Sequence, residues 1–276
     1  MKKHLLLFII LFTATTCFAQ TVLKNGDKHT KKIYIRSNTV FQQGKRAVNI
    51  KSNSFVSRGY TAEQVSDNIF SFKITTDKIT DTVKTDKQQI NYSSDKAIDT
   101  SSFIEKSLND VRKKILNVIS DKSGILTVAF RTYLQNKNDS LLAFSGLLPD
   151  QLIVGNPIDL IVKLPYGYSL TKGTQWKSTI ATVYGKQVLT FTVESTGPAT
   201  SIISFKGGES KNYDNQQSKL PIRCYFNTNI SGKMRVDNKS LIVKERNIKT
   251  ASSGYQSING VVFTVAKRSS ISEIVD

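Results

Sequence analysis

From Ile69 to Ile79 the residues IFSFKITTDKI place Phe70, Phe72 and Ile74 on one side and Ser71, Lys73 and Thr75 on the other. That is the period of two of a strand with one buried and one wet face. Shorter runs of the same kind, such as Ile33-Tyr34-Ile35, fill Val22 to Ile50. Beyond Pro165 the chain reads as further strands: Trp176–Tyr184, Gln187–Glu194, Ser201–Lys206, Ile222–Asn227, Gly232–Val236, Leu241–Asn247 and Gly260–Ala266. Gly185, Gly197-Pro198, Gly207-Gly208, Asp237-Asn238 and Asn259-Gly260 punctuate them as the turns of an antiparallel sheet.

One stretch breaks the alternation. Ser102 followed by Glu105 is a capping box, and Phe103, Ile104, Leu108 and Val111 then recur at helical spacing opposite Lys106, Asn109, Asp110 and Arg112. This predicts one amphipathic helix over 102–113. Lys114–Ser120 and Ile125–Phe130 are read as the arms of a hairpin around Asp121-Lys122-Ser123-Gly124. Asp81–Asp99 is expected to be a polar loop leading into the helix, and Thr132–Ser140 another polar loop.

The expected fold class is mainly β, of α+β type: antiparallel, curved sheets in two lobes with this one principal helix. The lobes are residues 20–140 and 171–276, joined by a connecting segment over 141–170 that Gly146, Pro149, Gly155 and Pro157 interrupt. Leu23, Gly26 and Ile33 have the mutual spacing of Leu170, Gly173 and Ile180, and Ile69–Ile74 resembles Val188–Val193. A duplicated lobe would explain both, with the helix an insertion in the first.

Residues 1–19 carry Lys2 and Lys3, the apolar run Leu5–Phe12 and then Cys17-Phe18-Ala19, the three parts of a secretory signal. Cleavage is expected after Ala19, leaving an exported protein of the periplasm or cell surface with no later apolar run of spanning length. Thr16 stands before Cys17 where lipoprotein processing wants a small Gly, Ala or Ser, so lipid anchoring at Cys17 is disfavoured. Cys224 is then the only cysteine of the mature chain, which excludes an intrachain disulfide and favours a structural thiol.

The formal charge is +18. Basic residues are spread through every segment, the longest runs being pairs such as Lys31-Lys32 and Lys45-Arg46. These four, Lys31, Lys32, Lys45 and Arg46, are the candidate contacts for an anionic partner.

Motifs for catalysis are missing from the sequence. His29 is the one histidine after the signal and is read as a surface imidazole, so multi-histidine metal sites and histidine triads lack their parts. There is no nucleophile elbow, phosphate-binding glycine loop or dinucleotide fingerprint. Acids among Asp77, Asp81, Asp86, Asp95 and Asp99 are the remaining candidates for paired carboxylate chemistry or calcium, at an undiagnostic spacing. No cofactor or metal is expected. Aromatics beside lysines suit single-strand nucleic-acid or glycan binders, and without a repeated basic–aromatic spacing nucleic acid is disfavoured.

Phe70–Ile79 with Thr82, Tyr92–Lys96, Asp121–Gly124, Gly173 with Trp176, and Gly232–Asp237 before Leu241-Ile242 resemble the bacterial family called domain of unknown function 6263. The resemblance implies an exported, β-rich body and no catalytic residues. The chain departs from it at Gly173-Thr174-Gln175-Trp176, where a Gly-Asp-Ser-Trp run is common, so no essential carboxylate is expected there. The leading expectation is a non-enzymatic envelope protein that binds a ligand or partner, such as a lipid or other apolar molecule. A basic scaffold docking on anionic envelope glycan or lipid headgroups is the second reading, and a carboxylate-dependent hydrolase of envelope polymer the third.

Overall fold

The computed structural model describes residues 23–129, 152–182, 185–215, 222–258 and 260–276. The signal segment, Thr132–Ser140 and the part of the connecting segment before 152 lie outside these residues.

The protein is mainly β. Among the described residues twelve antiparallel strands form one sheet that is not closed: β1 (Lys28–Gln43), β2 (Arg46–Ser66), β3 (Ile69–Lys84), β4 (Gln89–Ser93), β5 (Leu116–Asp121), β6 (Leu126–Ala129), β7 (Gln175–Thr182), β8 (Gly185–Thr196), β9 (Thr200–Asn215), β10 (Ile222–Asp237), β11 (Val243–Ile258) and β12 (Val261–Val275). Their order is β6-β5-β3-β2-β1-β12-β11-β10-β9-β8-β7, with β4 pairing the far half of β3. Two curved sheets were expected. They are one because the last strand, β12, pairs with both β11 and β1.

The single helix among the described residues, α1 (Phe103–Lys113), begins one residue after its expected start, with Ser102 as its N-cap, and ends where expected. Ser102 Oγ accepts from the Glu105 amide at 3.3 Å, while the Glu105 carboxylate accepts from the Asp99 amide at 2.9 Å, three residues before the N-cap, and so fastens the approaching loop to the helix. Leu108 is fully buried with Ile33, Ile35, Val56, Ile79 and Tyr92. The expected hairpin is β5–β6. Asp121 Oδ1 accepts from the amides of Ser123 and Ile125, and Gly124 takes φ +78°, a value costly for a residue with a Cβ.

The region Asp81–Asp99 is not a loop: β3 runs on to Lys84 and pairs with β4. Its alternation simply continues, so Asp81 takes a buried position between Ile79 and Val83. Gly207-Gly208 is not a hairpin either but lies inside β9. A Cβ at Gly207 would sit 2.0 Å from the Val188 carbonyl oxygen, so glycine there permits close approach of β8.

The two halves repeat one arrangement. Leu23 and Leu170 are both buried, and Gly26 (φ +84°) and Gly173 (φ +89°) both turn the chain. The Gly26 amide donates to Ala62 O and the Gly173 amide to Val193 O, each at 2.8 Å. Ala62 on β2 therefore corresponds to Val193 on β8. The counterpart of β3 is β9, one strand later than the match of Ile69–Ile74 with Val188–Val193 implied, since Ala62 pairs with Phe72 and Val193 with Ile203. Among the described residues no helix lies between β9 and β10, where the β4–α1 stretch would have its counterpart.

Residues 156–162 run between two matching turns. Gly124 O accepts from Ile158 and Leu126 donates to Asn156 O, and four residues on Leu241 O accepts from Val162 and Val243 donates to Leu160 O. Ile158, Leu160 and Ile161 thereby enter one core that takes Phe72, Val118 and Leu126 from the first half and Trp176, Val193, Ile203 and Met234 from the second. Leu241 holds φ +57°, the one positive value outside glycine among the described residues. Burial of its side chain in that core offsets the cost.

Between those two contacts stands Asp159. Its Oδ2 takes Lys31 Nζ at 2.5 Å and its Oδ1 takes the Tyr60 hydroxyl at 3.0 Å. Lys31 also reaches Glu273 at 3.3 Å, and Glu273 accepts from Arg246 at 2.5 Å. The group is half in water at Asp159 and buried at Lys31 and Glu273. Asn156 ties the seam between the sheet edges, donating to Ala181 O at 2.7 Å and accepting from the Ala181 amide at 3.1 Å on β7.

Candidate functional site: a basic groove on the outer sheet face

Strand alternation sends Ile33, Ile35 and Ser37 of β1 inward and Tyr34, Arg36 and Asn38 outward. Register then fixes what meets on the outside. Asn53, Arg36, Ser270, Lys249 and Ser231 are successive partners across β2, β1, β12, β11 and β10. Lys51, Asn38, Arg268, Ala251 and Asn229 form the neighbouring row, two residues along. Between the rows runs a cleft of about 560 Å³, its middle line being Ser52, Ser37, Ser269, Thr250 and Ile230. Ser52, Ser37 and Ile230 are 1%, 7% and 7% exposed, whereas both flanking rows are exposed throughout. The cleft therefore opens outward, with the two rows as walls and backbone as floor.

Four of the ten wall residues are cations and none is an acid. Among the described residues Arg36, Lys51, Lys249 and Arg268 are in no ion pair. On each wall the cations occupy alternate strands, Arg36 with Lys249 and Lys51 with Arg268, about 10 Å apart at ordinary strand spacing. Amides and hydroxyls of Asn38, Asn53, Asn229, Ser231 and Ser270 fill the places between. Such a surface attracts polyanions and offers hydrogen bonds to hydroxyls.

The four cations named from the sequence do not form this site. Lys31 points inward and is 1% exposed, serving the Asp159–Glu273 network. Lys32 pairs with Asp276 at 2.6 Å. Lys45 and Arg46 sit exposed at the β1–β2 turn, about 45 Å along the strand from Lys31. The clustered cations were missed because they come from four strands far apart in sequence, and only Arg268 has a basic neighbour, Lys267. Their common signal is parity: each lies on the opposite phase to the apolar positions of its own strand.

The acids do not converge. Asp77 accepts from Thr75, Asp86 lies in the exposed β3–β4 turn, Asp95 pairs with Lys78, and Asp99 accepts from Ser101. Asp81 alone is buried, taking the hydroxyls of Ser54 at 2.6 Å and Ser52 at 3.4 Å on Oδ1, and burial pushes its pKa up to about 6. His29 is half-buried rather than on the surface, and burial outweighs nearby Asp27 to lower its pKa. Cys224 is also half-buried, and burial pushes its thiol up to about 11, the setting of an unreactive cysteine. Among the described residues no group of three His, Cys, Asp or Glu is placed to hold a metal.

No family profile and no curated protein matches the chain in sequence. Among solved structures it is similar to an outer membrane channel from Pseudomonas putida F1 (8% identity, 94% of this chain and 98% of that one, TM-score 0.22). It is also similar to OpdQ of Pseudomonas aeruginosa (7%, 90% and 97%, TM-score 0.20) and to the botulinum neurotoxin serotype C1 binding domain (9%, 88% and 78%, TM-score 0.14). TM-scores this low carry neither fold nor activity across. No helix among the described residues is long and apolar enough to cross a membrane. The outer face of β1 and β12 speaks for itself: Arg36, Asn38, Arg268, Ser270 and Ser272 stand where a lipid-facing strand needs an apolar band, so this face meets water or a polar partner.

Proposed function

We propose that the protein is exported to the cell envelope and binds an anionic partner along the groove walled by Arg36, Lys51, Lys249 and Arg268. The acid-free, unpaired set of cations is the observation that carries this reading. The role is one of binding, not catalysis. The signal-like leader and the resemblance to domain of unknown function 6263 agree with export. The reading in which the inner face carries a lipid is less well supported, because Ile158, Leu160, Ile161 and Leu108 already pack against that face.

The test is retention of the mature protein on a dextran sulfate matrix over a salt gradient. The variant R36Q/K51Q/K249Q/R268Q should elute at clearly lower salt than the parent, and K45Q/R46Q close to it. Exposed strand positions tolerate such changes within about 0.5 kcal/mol each, so folding is preserved. Equal elution of all three proteins would refute the groove.

A further inference from the structure

Two aromatic pairs, each with an exposed tyrosine, stand at opposite corners of the groove. Tyr34 and Phe55 are register partners on β1 and β2, with ring centroids 4.9 Å apart. They lie on the outer face two residues beyond Arg36 and Asn53. Tyr225 and Tyr255 are partners on β10 and β11, stacked at 6.0 Å, four residues beyond Asn229 and Ala251 on the other wall. Tyr34, Tyr225 and Tyr255 are 46%, 36% and 46% exposed. A chain laid obliquely across the groove therefore meets an aromatic platform, then cations separated by amides and hydroxyls, then a second platform.

We propose that the occupant is an anionic polysaccharide whose sugar rings pack on these platforms, an inference that rests on the groove being the binding site. The C–H face of a pyranose is apolar and its rim hydroxylated, which suits a tyrosine ring beside Asn and Ser side chains. Cations interleaved with amides and hydroxyls on both walls suit a polymer that carries both carboxylate charge and free hydroxyls along its length. A DNA strand brings phosphates but no free sugar hydroxyls for the Asn and Ser side chains that stand between the cations. A membrane surface is disfavoured because the walls offer no large apolar side chain to enter lipid.

Binding of the mature protein is measured by calorimetry at about 0.15 M salt with four probes: polygalacturonate, long-chain polyphosphate, single-stranded oligothymidine and phosphatidylglycerol vesicles. Polygalacturonate should bind tightest. Tyr34→Ala and Tyr255→Ala should each weaken it about tenfold and leave polyphosphate binding unchanged, a loss typical of a stacking ring. Tyr34→Phe and Tyr255→Phe keep the ring and should bind as the parent, which separates stacking from folding. Tighter binding of oligothymidine or vesicles, or an equal loss on polyphosphate in the alanine variants, would overturn the polysaccharide. Failure of the groove itself looks different: R36Q/K51Q/K249Q/R268Q would then bind every probe as the parent does.

Discussion

Asp81 makes the stability of this protein depend on pH in an unusual direction. It is 3% exposed, its Oδ1 is served by two serines, and its buried Oδ2 has no partner. Desolvation outweighs those hydrogen bonds and raises the pKa from 3.8 to about 6. An acid whose pKa is raised on folding binds its proton more readily in the folded state. Its contribution is therefore fully present below about pH 4 and is lost as pH rises through about 6. A shift of roughly two units at 1.36 kcal/mol each makes the loss about 3 kcal/mol. Asp81→Asn keeps the shape and the acceptor for Ser54 but cannot ionise. Urea unfolding of both proteins from pH 4 to 8 should show equal stability at the acid end and the variant about 3 kcal/mol more stable at pH 8. Taking the difference between the two cancels other carboxylates, such as Glu273, whose sign is opposite. A difference that is flat with pH, or that grows toward acid, would refute the reasoning.

Three further outcomes follow from the seam and the core. Asn156→Ala removes both hydrogen bonds to Ala181 at the sheet edge, and should lower unfolding free energy by about 1–3 kcal/mol, read from the urea midpoint. Lys31→Met strands Glu273 and Asp159, at a cost of about 3–5 kcal/mol. For Glu273 burial raises the pKa, but Arg246 and Lys31 outweigh it and hold the carboxyl below its usual range. That stabilisation is present above about pH 4.3 and lost as pH falls, so acid unfolding of Lys31→Met should be shallower than that of the parent. Leu108→Asp puts an unpaired charge among Ile33, Val56 and Ile79 and should cost about 3 kcal/mol or more, so an unaltered melting temperature would show that α1 does not cover the core.

What the sequence determined by itself is local. The Ser102 cap and the 3.6-residue stripe set α1 to within a residue at its start and on its last residue, because capping and amphipathicity act over a few neighbours. Asp121 and Gly124 set the β5–β6 turn for the same reason, and Gly26 and Gly173 already marked the repeated turn. Alternation also assigned most strands, though not their lengths. Polar residues on an outer face look like loop, which hid β4 and the last residues of β3 up to Lys84. A glycine pair inside a strand looks like a turn until the partner backbone at 2.0 Å is seen. The tertiary structure decided everything that depends on register across distant strands. It turned Lys31 inward to Asp159, 128 positions away, and buried Asp81 against Ser54. It also brought Arg36, Lys51, Lys249 and Arg268 from four strands onto one groove. Charge attracts through space, and only the pairing of β12 with β1 puts the cations of the two halves within reach of one ligand.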